Sequence, residues 1–253
     1  MKNIINWKAF FILLVLSLIS VAFVFPYVLT IQGELLARVG QPVWLIFVVQ
    51  LVQSAILFAI AILLGLYFTK KINFRLPLIS AILEKGNWKE VLKNILLKSV
   101  IVGAVTAVII YVVDIVFTLF GAGITTHQNL APVWQKLLAS FYGGITEEVL
   151  MRLFLMAFFV WISMKLFKKN QPGKAGIIIS IILAAIIFGL GHLPITASLT
   201  ELSPLVILRA IVLNGIGGIA FGWLFWKKGL ESAMIAHFTT DIVLLTLLPL
   251  IFA

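Results

Sequence analysis

Cysteine is absent from the 253 residues. That excludes disulfides and thiolate chemistry, so any nucleophile must be water, a hydroxyl or a carboxylate. Charge is also scarce. Only 11% of residues are charged, whereas a soluble domain carries roughly 25%. No HExxH occurs, so the zincin signature is missing. No internal repeat or low-complexity tract interrupts residues 1–253, which read as one membrane domain. No small-residue cleavage site follows the apolar run from Ala9 to Val24. The run therefore reads as a retained first span and not as a signal peptide.

What is present is apolar sequence. Hydrophobic residues make up 62% of the chain and come in blocks of about 20, the length that crosses a hydrocarbon core as a helix. Short alternating segments, the mark of a barrel, do not occur. The expectation is an all-α polytopic bundle of about seven spans, near 8–29, 42–68, 99–120, 137–166, 175–192, 204–226 and 231–252. Between the second and third lies a basic segment, 70–98, expected to lie along the cytoplasmic interface as partial helix. The net charge of +10 does not signal nucleic acid here. Fifteen of the nineteen basic residues fall on one side if the N-terminus is cytoplasmic, and that bias sets orientation. The C-terminus is then outside.

Of the nine acidic residues, only Asp114, Glu147, Glu148 and Asp241 fall within spans. Among basic or titratable partners, Arg152, His192, Arg209 and His237 do too, while His127 falls in an outer loop. An intramembrane carboxylate costs roughly 2.5–3.5 kcal/mol, which helix packing alone does not require. Such groups usually face a bundle interior or a water-filled cavity and pair there. Counted at ~1.5 Å per residue from the basic anchors, most of the set shares a depth of ~20–27 Å. His237, at ~13 Å, joins them only if the seventh span tilts or starts deeper.

Spacing suggests roles. Glu148 and Arg152 stand i,i+4 in the favourable order for a helical ion pair. Glu147 is rotated by about one hundred degrees and free to point elsewhere. Phe188 with His192, and His237 with Asp241, are also i,i+4. A glutamate with imidazoles suits activation of water, with Glu147 as general base. His192, His237 and a carboxylate such as Asp241 equally suit a three-ligand zinc site with an open water position. A carboxylate proton path in a proton-coupled transporter is the competing use. Arg209, just inside the sixth span, either snorkels to the interface or captures a substrate carboxylate with its planar fork. Asp114 is left unassigned. The glycines at 143, 144, 215, 217, 218 and 222 read as close helix packing.

Three ordered motifs on successive spans carry a resemblance. Glu147-Glu148-Val-Leu-Met-Arg152 is an EExxxR, Phe188-Gly-Leu-Gly-His192 an FxxxH, and His237-Phe-Thr-Thr-Asp241 an HxxxN/D-type motif. Over about 135–250 the chain resembles the CPBP intramembrane proteases, also called the Abi family, which includes CAAX prenyl endopeptidases and bacteriocin-processing or immunity proteins. The resemblance implies hydrolysis of a peptide bond in a membrane-associated protein or peptide, with lipidation of that substrate left open. It implies that Glu147 and His192 activate water, that Glu148 and Arg152 support the site, and that His237 and Asp241 bind the oxyanion or a metal. An ionised aspartate only accepts hydrogen bonds, so Asp241 fits orientation of His237 or metal binding better than an oxyanion hole. A non-proteolytic immunity or scaffold protein is the alternative from the same family.

Overall fold

The computed structural model describes residues 5–123 and 131–251; Lys2 and His127 lie outside them. Among the described residues every regular element is helical. Seven helices are long and apolar enough to cross a membrane: Trp7–Ile31, Val43–Ile72, Trp88–Ala122, Val133–Leu166, Lys174–Leu199, Pro204–Lys228 and Leu230–Ile251. They are called the first to seventh spans here. The chain is an integral, multi-pass membrane protein.

Local chemistry sets the helix ends. Asn6 Oδ1 accepts from the backbone of Lys8 at 3.1 Å and Ala9 at 3.2 Å, starting the first span. Asn87 Oδ1 accepts from Glu90 N at 3.2 Å and starts the third. Ser203 Oγ accepts from Val206 N at 3.2 Å, with Pro204 as the first helical residue of the sixth. Each cap satisfies amides that the helix itself leaves unbonded. Asn73, in the left-handed region with φ 58°, closes the second span behind Lys70 and Lys71. Lys227 and Lys228 close the sixth, where cations face the negative end of the helix. These ends form the basic end of the bundle.

The second and third spans are the outermost. Only 17% of the most apolar window of each is buried, against 44% for the first and fifth. Their exposed rows, including Trp44, Ile56, Ile101 and Val112, are far too apolar for water and suit lipid. The core joins the first, second, fourth, sixth and seventh spans through Leu13, Ile62, Leu153, Phe221 and Ala233. Small residues let backbones meet. A Cβ on Gly218 would stand 2.6 Å from Ala185 Cβ, and one on Gly189 2.6 Å from Ile211 Cα, so the fifth and sixth spans touch directly.

The third span begins at Trp88, eleven residues earlier than the hydropathy suggested. Lys89, Lys93 and Lys98 are exposed on its first turns and extend outward from a continuous helix. The rest of the basic segment is docked and partly buried. Pro77–Leu83 forms a short helix whose Ile79 N donates to Glu231 Oε1 at 2.8 Å, and Leu230 N donates to Arg75 O at 3.1 Å. The connection from sixth to seventh span is a single residue, Gly229, with φ 100°. A side chain there would strike Pro77 and stand 2.9 Å from Arg75 O. Residues 73–83 thus cover the start of the seventh span, leaving Leu230 and Glu231 buried. His237 joins the other polar residues, its Nε2 3.6 Å from Glu147 Oε2.

Candidate active site

The fourth span carries the paired glutamates on backbone that is not regular α-helix. Tyr142–Glu147 and Val149–Met156 are π-helical, with the wider i→i+5 bonding that recurs at functional sites. Glu147 points away from the Glu148–Arg152 pair and toward His192, as the spacing suggested. Both carboxylates meet His237 of the seventh span. Glu148 Oε1 accepts from His237 Nδ1 at 2.8 Å, and Glu147 Oε2 stands 3.6 Å from His237 Nε2.

Glu148 is fully buried and held from a second side. Arg152 Nε stands 3.3 Å from Glu148 Oε2, an ion pair without hydrogen-bond alignment. Arg152 Nη2 donates to Gly218 O of the sixth span at 3.4 Å. The guanidinium also lies over two rings, Phe188 at 5.1 Å and Phe221 at 5.4 Å from their centroids. Two aromatic faces and one carboxylate therefore surround a cation that is 2% exposed.

The same two rings set the histidines. Phe221 stacks on His237 at 4.5 Å with 22° between planes. Phe188 meets His192 edge-on at 4.7 Å and His237 edge-on at 5.8 Å. The regular helix of the fifth span runs Lys174–Gly191 and ends at His192, two residues before Pro194, which has no amide to continue the ladder. His192 Nδ1 lies 2.8 Å from Phe188 O. A carbonyl only accepts, so Nδ1 carries the proton and Nε2 is left facing Glu147 Oε1 at 3.9 Å.

Asp241 stands one turn beyond His237, its Oδ1 3.6 Å from His237 Nε2. It fits there because Gly143 has no side chain: a Cβ on Gly143 would collide with Asp241 Oδ2 and come 3.1 Å from His237 Nε2. Thr146, beside the glutamates, makes a short hydroxyl contact with Ser20 that ties the first span to the fourth. Glu147, His192 and Asp241 keep 21%, 29% and 21% exposure, so the site opens on their side while Glu148 and Arg152 close the other.

The structure therefore brings together Glu147, Glu148, Arg152, Phe188, His192, His237 and Asp241, drawn from the fourth, fifth and seventh spans. Arg209 is not among them. Its Nε and Nη2 both reach Asp114 Oδ1 at 2.6 Å, linking the sixth span to the third. The fork that could have snorkelled or captured a substrate carboxylate holds a carboxylate of the chain itself. Phe221 and Gly143 were not singled out by the motifs. Their signal was weak: an aromatic and a glycine among many on apolar spans.

Among the described residues no three His, Cys, Asp or Glu side chains are disposed to hold a metal ion. His192 Nε2 and His237 Nε2 both face Glu147, and Asp241 Oδ1 stands 3.6 Å from that same His237 Nε2.

Residues 129–243 match the family model described as type II CAAX prenyl endopeptidase Rce1-like. No curated protein and no solved structure matches the chain.

Proposed function

Since residues 129–243 match the Rce1-like CAAX prenyl endopeptidase family model, we propose a glutamate-based intramembrane endopeptidase with Glu147 as its general base. One observation carries the assignment of roles. Both imidazoles have Nδ1 occupied, His192 by Phe188 O and His237 by Glu148, and both turn Nε2 onto the two oxygens of Glu147. A gap of 3.9 Å between His192 Nε2 and Glu147 Oε1 is too long for a direct bond and suits a bridging water.

In this reading the water oxygen attacks the scissile carbonyl carbon and its proton passes to Glu147. The carbonyl oxygen gains the negative charge and lies toward His237. Protonated His237 donates from Nε2 to that oxygen, the kind of aimed donor that stabilises developing charge. Glu148 fixes the ring through Nδ1, and Arg152 fixes Glu148. Asp241 and Glu147 flank Nε2 as counter-charges, and Asp241, an acceptor only, does not itself bind the oxyanion. Collapse breaks the C–N bond, and Glu147 returns its proton to the departing amine. No step is routed through a metal.

The substrate is a membrane-associated protein or peptide presented to a site flanked by lipid-facing spans. The basic end faces the cytoplasm, with the N-terminus inside and the C-terminus outside. A prenylated substrate is the specific form of this reading.

The test is Glu147→Gln, which preserves shape and removes the base. Cleavage of a reporter peptide should fall roughly 10²–10⁴-fold while folded yield and melting temperature hold. Near-parental cleavage would take the base role from Glu147. A chelator added to the parent in the same assay should leave cleavage unchanged; its abolition would return metal chemistry to the site.

A further inference from the structure

The basic ends of the second, fifth and sixth spans enclose a cavity of about 550 Å³ that no step of cleavage uses. Its lining is mixed: Phe74, Pro172 and Trp226 are half-buried and reachable, and Ile72, Ile177 and Phe225 are buried. Its rim carries Arg75, Lys227 and Lys228, all exposed, and no acidic residue lines it. None of the three rim cations has a carboxylate partner among the described residues. Lys227 Nζ instead sits 3.5 Å from the centre of the Trp226 ring.

The positive bias of membrane-protein loops explains lysines at this end, but it needs only their sign. It does not gather three unpaired cations around a recess that also presents Phe74, Pro172 and Trp226. That combination matches an amphiphile: a phosphate at the rim, and the first carbons of its chains against Phe74, Pro172 and Trp226. The volume lies within the range of small-ligand pockets, and basic recesses between spans are how helical membrane proteins hold acidic headgroups. We infer that this recess binds the phosphate headgroup of an anionic glycerophospholipid.

The position gives such a lipid a consequence. The recess is walled by Gly229 and the Asn73–Pro77 stretch, the joint whose bond from Leu230 N to Arg75 O seats the seventh span. His237 lies seven residues beyond Leu230 on that helix. A headgroup bridging Arg75 to Lys227 and Lys228 clamps the joint, so it stabilises the fold at the span that carries His237 and Asp241. The inference stands whether or not the chain cleaves peptides.

The test is native mass spectrometry of the detergent-purified full chain titrated with phosphatidylglycerol or phosphatidylcholine. The parent is compared with Arg75→Gln/Lys227→Gln/Lys228→Gln, and with the equally discharged Lys89→Gln/Lys93→Gln/Lys98→Gln. The parent and the second variant should retain one phosphatidylglycerol and prefer it to phosphatidylcholine. The rim variant should lose retention by at least about tenfold, since each basic residue near an anionic headgroup contributes roughly fivefold. Phosphatidylglycerol should also raise the parent's melting temperature and leave that of the rim variant unchanged. Equal retention by both variants, equal loss in both, or no preference between lipids overturns the site. Inorganic phosphate alone reproducing the melting shift, with no lipid retained, overturns the lipid and assigns the recess to free phosphate.

Discussion

The carboxyl group of Asp241 rests against the bare backbone of Gly143, in the space that any side chain at 143 would fill. The neighbouring Gly144 faces a different obstacle, with Phe238 Cβ 2.8 Å and Met234 O 3.0 Å from its Cβ position. The two glycines therefore separate site geometry from packing. In Gly143→Ala the flexible end of Asp241 swings away, so melting temperature should change little while cleavage falls. In Gly144→Ala the backbone of the seventh span must move, at a cost of roughly 1–3 kcal/mol, and folded yield should drop. Full activity in Gly143→Ala would show that the position of Asp241 does not matter to turnover.

Arg152→Met removes a buried cation and leaves Glu148 charged beside His237. Removing one partner of a buried pair costs roughly 3–5 kcal/mol. The variant should be unstable as well as inactive. Arg152→Met/Glu148→Gln, which removes both charges, should recover much of the stability and none of the cleavage. If Arg152→Met alone is as stable and active as the parent, the pairing at 3.3 Å has no consequence and the support role fails.

Phe221→Leu keeps the sixth span apolar but removes the ring that stacks on His237 and underlies Arg152. A stability loss of roughly 1–3 kcal/mol is expected from the buried volume removed. Cleavage at a temperature where the variant is fully folded should still fall between about 10- and 100-fold, the scale of a misplaced catalytic group. A kcat that tracks only the folded fraction would reduce Phe221 to core filling.

Asp114 and Arg209 should behave as one unit. Asp114→Asn and Arg209→Gln are each expected to lower the melting temperature, and the double variant to be no worse than the poorer single one. A double-mutant cycle measures this coupling directly. Strict additivity would mean that the 2.6 Å contact contributes nothing.

Seven spans, the basic end and the three polar motifs were legible because each is written in composition or in short-range spacing. Apolar length reports bilayer thickness, and i,i+4 reports a helix face. What was hidden lies in contacts that no local pattern encodes. Asp114 and Arg209 are 95 residues apart and carry no motif. Glu231 looked like a loop acid at a span edge, yet its carboxylate receives Ile79 N and is buried under the docked segment. The early start of the third span was masked because hydropathy counts Lys89, Lys93 and Lys98 against a helix that merely wears them on its outside. The π-helical backbone of the fourth span was hidden for another reason. The one-hundred-degree step is a property of regular helix, and the sequence between Tyr142 and Met156 gives no sign of wider turns.

Those wider turns make residue count in the fourth span a functional quantity. A π-helical stretch holds more residues per turn than the α-helix on either side, so it stores a surplus within a fixed height. Substitutions inside it change chemistry one position at a time. A one-residue deletion near Gly144 would instead remove part of that surplus and let the stretch relax toward ordinary helix, changing where its side chains point. Glu147 and Glu148 would then sit differently against His237, with every motif residue still present in the chain. For this fold, insertions and deletions between Ser140 and Met156 are therefore the more damaging class of genetic change, and sequence alignments that open gaps there will pair the wrong glutamates.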